Sequence, residues 1–173
     1  EYSKGINYIA GAFYWNREYS LNQTSYHVLE LPFYNNGGTE RFDMEQNTWS
    51  LSWFGELKIP VVDNMDVTLG ARNTRERKRA SGAVFYIDDM GMMLGNNDEA
   101  LEQAGFTSAV YGGSKDWTDT TVKASLKYQV NKDFSWYIQY AEGFRSGGFN
   151  GRARSQIAIE AYDPERVKNY EIG

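Results

Sequence analysis

The sequence of 173 residues contains no cysteine and a single histidine, His27. Without cysteine it can form no disulfide, thiolate metal site or cysteine nucleophile. One histidine leaves little for a histidine-based metal centre or a Ser-His-Asp triad. The net charge of −5 argues against nucleic-acid binding, which requires a basic surface. Paired carboxylates, a nucleophile with its base and a phosphate-cradling loop are also missing, so we expect no enzyme, no cofactor and no nucleic-acid partner.

The sequence also lacks an apolar run of the ~18–20 residues that a membrane helix needs. This does not exclude a membrane protein, because a transmembrane β-barrel alternates its apolar residues and shows no long hydrophobic run. Aromatic residues, by contrast, are abundant: the chain has 13 Tyr, 9 Phe and 5 Trp, far more than a core of this size needs.

The two ends of the sequence look cut. Glu1–Gly5 has neither the basic nor the apolar region of a signal peptide, and Asn169–Gly173 is typical of the start of a strand rather than of a tail. We therefore expect the chain to be a piece of a longer protein.

Alternation of apolar and polar residues with a period of two predicts strands. It is clearest in Thr121–Val130, where apolar side chains share one face and Lys123 and Lys127 share the other. Apart from Val167–Ile172, which runs into the end of the chain, the predicted strands have about ten residues or more. That length exceeds the ~5–6 residues of a soluble strand and fits the ~9–11 residues of a tilted membrane strand. The other predicted strands are Ile6–Tyr19, Trp49–Ile59, Met65–Thr74, Phe134–Phe144 and Val167–Ile172.

Short and long connections alternate along the chain. Pro60–Asn64 and Asn131–Asp133 are tight and polar, as in hairpins. The other connections are long: about Ser20–Asn47, Arg75–Thr120 and Ser146–Arg166. Long structureless loops are uncommon in compact soluble domains, whereas an outer-membrane barrel has short periplasmic turns and long extracellular loops. The sequence therefore predicts an all-β, antiparallel transmembrane barrel segment of about six long strands.

In such a barrel, the polar faces of the strands would line the lumen. Arg145 also begins Arg145–Gly148, which we interpret as a strand end with a glycine-permitted turn rather than as a ligand-binding lip. The lumen-facing candidates are Glu56, Lys58, Arg72, Lys123, Lys127 and Arg145.

Aromatic residues near the strand ends fit a girdle at the membrane interface better than a surface for stacking sugars or bases. These interface aromatics are Trp49, Trp53, Tyr128, Trp136, Tyr140 and Phe144.

Ligand contacts of such a barrel would lie in the long loops, although a single loop histidine is more often simple polar surface. The acidic residues around Asp88 and Asn96–Glu99 lack the spacing of a calcium loop, so we expect no metal site. The loop candidates for ligand contact are Tyr26, His27, Tyr34 and Arg152.

Two stretches resemble the β-barrel of TonB-dependent outer-membrane receptors of the siderophore-receptor type. In that family a strand ending in Ala-x-Gly-Phe-Arg/Lys-Ser-Gly-Gly precedes a loop, and Pro-Glu-x-x-x-Asn-Tyr-Glu-x-Gly begins the next strand. Ala141–Gly148 and Pro164–Gly173 have this pattern. Phe54–Leu57 and Leu69–Thr74 resemble the family's Phe-Gly-Glu hairpin leading to Gly-x-Arg-Tyr-Thr, with Asn73 in place of the tyrosine.

The resemblance implies a 22-stranded barrel plugged by an N-terminal domain. Residues 1–173 would supply about six of its strands, without the plug or the other strands. An open sheet of that size would leave two unpaired edges in lipid, which is not viable alone.

The resemblance further implies energy-coupled uptake of a scarce nutrient across the outer membrane of a Gram-negative bacterium. The cargo would most often be a ferric siderophore, with heme, cobalamin or an oligosaccharide as other possibilities. Extracellular loops and plug would capture the ligand, and rearrangement of the plug would open the lumen. The partners would be outer-membrane lipid, the ligand, and the TonB complex, reached through an N-terminal region outside this sequence.

Two other readings of the sequence remain open. One is a complete, small outer-membrane barrel of about eight strands with a structural or adhesive role. The other is a soluble all-β module whose aromatic side chains stack on carbohydrate.

Overall fold

The computed structural model describes residues 5–27, 38–87, 93–94, 109–153 and 159–173. Their strands form one antiparallel sheet, in the spatial order β1-β2-β3-β5-β6-β7, with the short β4 paired to β3. The strands are β1 (Asn7–His27), β2 (Gly38–Val62), β3 (Met65–Ile87), β4 (Met93–Leu94), β5 (Ala109–Gln129), β6 (Ser135–Arg145) and β7 (Glu165–Ile172). In these ranges no helix is long and apolar enough to cross a membrane. The prediction of an all-β, antiparallel fold is confirmed.

Both predicted short turns are present, and local chemistry explains them. Asp63 and Asn64 form the turn between β2 and β3. The pairing of these strands shifts between Pro60 and Val62, at a proline, which has no N–H to donate to a ladder. In the second turn, the Asn131 side-chain oxygen accepts hydrogen bonds from the backbone N–H groups of Asp133 (2.9 Å) and Phe134 (3.0 Å), as in an Asx turn.

The strands extend far beyond their predicted ends. β1 continues to His27, β2 begins at Gly38, β3 continues to Ile87 and β5 begins at Ala109. The expected long connections over about Ser20–Asn47 and Arg75–Thr120 are therefore wrong for all the residues that the structure describes there.

The physical reason is a change in which face carries the apolar residues. In the half of β2 near the short turn, the odd-numbered Trp49, Leu51 and Trp53 are apolar, whereas in the other half the even-numbered Phe42 and Met44 are apolar and buried. Where the apolar residues move from odd-numbered to even-numbered positions, the period-two pattern is interrupted, so the sequence there resembles a loop. The backbone hydrogen-bond pairing nevertheless continues through this stretch.

Successive side chains of a strand point to opposite faces of the sheet. We call the face of Phe42 and Met44 the inner face, because chain segment 146–153 and 159–162 packs against it, and the face of Trp49 and Trp53 the outer face. The buried core lies between that segment and the sheet, at the end remote from the short turns. It consists of Phe42, Met44, Ala80, Val84, Tyr111, Trp117, Phe149, Ala153 and Ile159.

The edges of the sheet are β1 and β7, and each has one side with no strand partner among the described residues. Membrane-spanning sheets must close because hydrocarbon cannot satisfy backbone hydrogen bonds.

Candidate functional site

The inner face carries a ladder of charged and hydroxyl side chains close to the short turns. The strand register places five of the six lumen-facing candidates on this face, and the sixth, Arg145, lines a cavity on it. Lys123 Nζ lies 3.2 Å from Glu56 Oε2, and Lys58 Nζ lies 3.1 Å from Asp66 Oδ2. Arg145 pairs more loosely with Glu165, at 3.7 Å, and both of these side chains are exposed.

Arg72 is held by hydroxyl groups rather than by a carboxylate. Its Nη2 donates to Ser52 Oγ at 3.0 Å and its Nε donates to Thr74 Oγ1 at 3.2 Å. The guanidinium lies 6.0 Å from the centre of the Phe13 ring. Because no carboxylate pairs with Arg72 among the described residues, this part of the inner face is suited to contact with an anion or an acidic side chain.

A polar cavity of ≈ 540 Å³ lies on the inner face. It lies between this ladder and residues 146–153 and 159–162, which we call the packed segment. It brings together Arg72 and Arg145 of the predicted candidates, and adds residues that the sequence analysis did not select. Among its lining residues are Trp15, Ser50, Glu76, Lys78, Thr121 and Ser146.

Glu76 and Lys78 bind the packed segment to the inner face of the sheet. Lys78 Nζ donates to the carbonyl oxygen of Gly147 at 2.7 Å and lies 3.3 Å from Glu76 Oε1, and both charged side chains are mostly buried. The Ser146 hydroxyl donates to the same Glu76 oxygen. The strand therefore ends at Arg145 as expected, but the following residues dock inward instead of forming a free turn.

The glycines of this motif have a packing role. A Cβ built on Gly147 would lie 2.0 Å from the carbonyl oxygen of Tyr162 and 2.7 Å from Trp117 Nε1, distances that no side chain can occupy. The Tyr162 N–H donates to the Gly148 carbonyl oxygen at 2.9 Å. Close approach of two backbones thus requires glycine here.

Glu76 and Lys78 escaped sequence analysis because they fall in a stretch expected to be a loop. The sequence nevertheless contained a signal. Arg75, Arg77 and Arg79 alternate with Glu76 and Lys78, as expected of a strand that presents its arginines to one face and the other two charged residues to the opposite face.

Five of the six predicted interface aromatics lie on the outer face. The Tyr128 and Trp136 rings are 5.8 Å apart, and Tyr140 packs against Tyr170 at 5.1 Å. Trp53 is 59% exposed. Around them the outer face exposes Leu57, Leu69, Val122, Ile138 and Ile172.

Phe144 differs from the other predicted interface aromatics because it packs against the buried core on the inner side. The pairing of β5 with β6 stops at Lys123 and Ala141. Beyond that point a Glu142 carboxylate oxygen accepts from the Val122 N–H at 3.2 Å in place of a backbone carbonyl. Once the strands have separated, Phe144 can turn toward the core.

The predicted ligand residues of the loops are not brought together in the described part of the chain. Tyr26 and His27 belong to strand β1 rather than to a loop, and Tyr26 is 84% exposed. Arg152 is exposed after Phe149, with its N–H bonded to the Asn150 side chain at 3.1 Å. Tyr34 and the acidic residues considered for calcium lie outside the described residues. Within the described ranges, no group of three or more His, Asp or Glu could hold a metal ion.

A family model described as TonB dependent receptor-like, beta-barrel, matches residues 3–173. The chain belongs to the TonB-dependent receptor family. Members of this family are outer-membrane receptors rather than enzymes, which agrees with the resemblance found in the sequence.

A solved uptake receptor has the same fold. The crystal structure of the ferric yersiniabactin uptake receptor FyuA from Yersinia pestis matches with a TM-score of 0.72 and 16% identity. The match covers 99% of this chain and 23% of that chain. A search of the curated proteins found no match. The chain thus spans under a quarter of the length of the receptor it resembles.

Proposed function

We propose that this chain forms part of the barrel wall of a receptor in the outer membrane of a Gram-negative bacterium, and that the receptor takes up a ferric siderophore. The observation that supports this most directly is the contrast between the two faces of one sheet. An apolar, aromatic outer face suits lipid, and a charged inner face suits a water-filled or plugged lumen.

On this proposal Glu56, Lys58, Arg72, Lys123, Lys127 and Arg145 line the lumen. The ion pairs and hydroxyl contacts among them keep the charges solvated and ordered, and the cavity beside Arg72 leaves room for a plug or a passing ligand. The TonB complex would act through an N-terminal plug region outside this sequence, as the family implies.

A ferric siderophore is the cargo that the comparisons favour, because the matching structure is that of a ferric yersiniabactin uptake receptor. Heme, cobalamin and an oligosaccharide remain alternative cargoes. The family match over residues 3–173 gives no support to a small adhesive barrel or to a soluble carbohydrate-binding module.

Uptake measured in the native bacterium tests the proposal. Cells lacking the gene that encodes this chain should lose uptake of at least one radiolabelled ferric siderophore under iron limitation, and cells lacking TonB should lose the same uptake. Restoring the gene should restore it. Normal uptake of all ferric siderophores, together with loss of heme, cobalamin or oligosaccharide uptake, would show that the cargo proposal is wrong while the receptor proposal stands.

A further inference from the structure

Three arginines stand in a row on the outer face of β3. Arg75, Arg77 and Arg79 occupy alternate positions, so their side chains share a face. The guanidinium groups of Arg75 and Arg77 lie 5.9 Å and 6.0 Å from the Trp49 ring on β2, within the range of a cation–π contact.

The row begins where the apolar part of the outer face ends. On β3 the outward residues from Met65 to Ala71 are apolar, and Asn73 separates them from Arg75. On β2 the outward residues run from Ile59 to Trp49. At ~3.3 Å per residue and a tilt of ~45°, that run is ~23 Å tall, close to the ~25 Å apolar band of a barrel. The arginines therefore lie at the edge of the band remote from the short turns.

The charge of this row is only partly neutralised. Asp116 accepts two hydrogen bonds from Arg77, at 2.5 Å and 2.6 Å, and lies 3.7 Å from Arg75. The hydrogen bonds from Arg77 lower the pKa of Asp116, so this carboxylate stays ionised. Among the described residues, Arg79 makes no ion pair or side-chain hydrogen bond.

Five of the six residues directly opposite the row are neutral. The cross-strand partners of the three arginines are Leu51, Trp49 and Asn47 on β2 and Thr118, Asp116 and Ser114 on β5, and Asp116 is the only acid among them. Among these direct partners, three guanidinium groups thus face one carboxylate. The other acids of the outer face on β1 and β2, which are Glu18, Asp43 and Glu45, lie level with or beyond Arg79, so positive charge is in excess beside the apolar band.

We propose that Arg75, Arg77 and Arg79, together with Trp49, bind the phosphate of a phosphorylated lipid headgroup at the outer edge of the membrane. Arginine presents a planar fork of donors that matches phosphate oxygens, and tryptophan favours the membrane interface. Because the row is continuous with the apolar band, acyl chains on the band place their headgroup phosphates beside it. The inference rests on the membrane placement proposed above and is independent of the cargo.

Asp116 has a positioning role in this site. Its two hydrogen bonds hold the Arg77 guanidinium against β5, and its charge moderates the attraction for phosphate. Removing that charge should therefore tighten binding, whereas removing the arginines should weaken it.

The full-length receptor that contains this chain, purified in detergent, can be titrated with bisphosphorylated lipid A and the bound lipid counted by native mass spectrometry. We expect the triple variant R75Q/R77Q/R79Q to lower the affinity by at least about tenfold, because charge-assisted hydrogen bonds are lost. D116N should raise the affinity several-fold. R41Q, which removes an exposed arginine from the same face farther from the band, should leave it unchanged.

Specificity for the lipid phosphate distinguishes this proposal from simpler ones. Lipid A stripped of its phosphates should bind more weakly, and inorganic phosphate at the same concentration should not compete. Equal binding of wild-type protein and triple variant, or effective competition by inorganic phosphate, would overturn the proposal. So would binding of a soluble acidic protein at the row in place of lipid.

Two further variants test the phosphate site even if the triple variant fails to fold. The charge-retaining variant R75K/R77K/R79K should bind with intermediate affinity, and D116N should show its gain without loss of any arginine. If the wild-type protein fails to insert into lipid vesicles, the membrane placement is wrong. If it inserts but shows no preference for lipid A, only the phosphate site is wrong.

Discussion

Lys123 and Glu56 form an ion pair although a third strand lies between the two strands that carry them. They lie on β5 and β2, both opposite Gly70 of the intervening β3, and their charged atoms are 3.2 Å apart. Gly70 has no side chain to stand between them, so two long side chains can meet above it.

The energy of this pair should be small. Both side chains are more than one-third exposed, and exposed pairs contribute about 0.5 kcal/mol. A double-mutant cycle of Glu56→Gln and Lys123→Gln, read from urea unfolding of the full-length receptor in detergent, should give a coupling energy of that size. A coupling energy well above 1 kcal/mol would mean that water is excluded from this part of the inner face.

Replacing Gly147 should have a far greater effect. A Cβ at this position would overlap the Tyr162 carbonyl oxygen, so Gly147→Ala should force the packed segment off the wall at a cost of about 3 kcal/mol or more. Gly143→Ala is the matched control, because its Cβ would meet only Val167, at 3.8 Å. Equal urea midpoints for the two variants would contradict the close backbone approach.

Lys78 should hold the packed segment in place. Lys78→Met removes the hydrogen bond to the Gly147 carbonyl and leaves Glu76 mostly buried without its cation, which typically costs about 3 kcal/mol. The segment should then open more often, and trypsin should cut after the exposed Arg152 at least about tenfold faster. Lys127→Met, on the same face but away from the segment, is the control, and an unchanged cutting rate in Lys78→Met would exclude the fastening role.

The two faces of β2 should respond oppositely to charge. Leu57 is exposed on the outer face, so Leu57→Arg should cost about 1–2 kcal/mol in a membrane, between the midplane and interface values. The amount of folded receptor, read as heat-modifiable migration on gels, should fall. Lys58→Arg, one residue along on the inner face, should leave that amount unchanged. Similar yields from the two variants would contradict the assignment of the outer face to lipid.

The half of the sheet near the short turns could be predicted from the sequence because its outer face is apolar throughout. Trp49, Trp53 and Leu57 follow a single period-two pattern, and all six predicted strands are present. The strand extensions could not be predicted, because Phe42 and Met44 carry the apolar pattern on the opposite face and acquire partners only when the distant Phe149 and Ile159 pack on them.

The candidate site could likewise be predicted from the sequence only in part. The charges of the ladder, such as Lys123 and Arg72, follow from alternation alone, whereas the contacts of Glu76 and Lys78 depend on a segment about 70 residues farther along the chain. Phe144 shows the same limit, since its position depends on where β6 parts from β5, and that separation has no local sequence signal.

The length of β2 has a consequence for how such a receptor would meet its ligand. Its 25 residues at ~3.3 Å each give a strand of ~80 Å, more than twice what a tilted crossing of the ~25 Å apolar band requires. On the proposed membrane placement, the barrel wall therefore extends beyond the bilayer, and its rim lies clear of the headgroup layer. Backbone hydrogen bonds between the strands already order that rim in the folded protein. The conformational entropy of the rim is therefore lost during folding, and a ligand that binds there does not have to order it again.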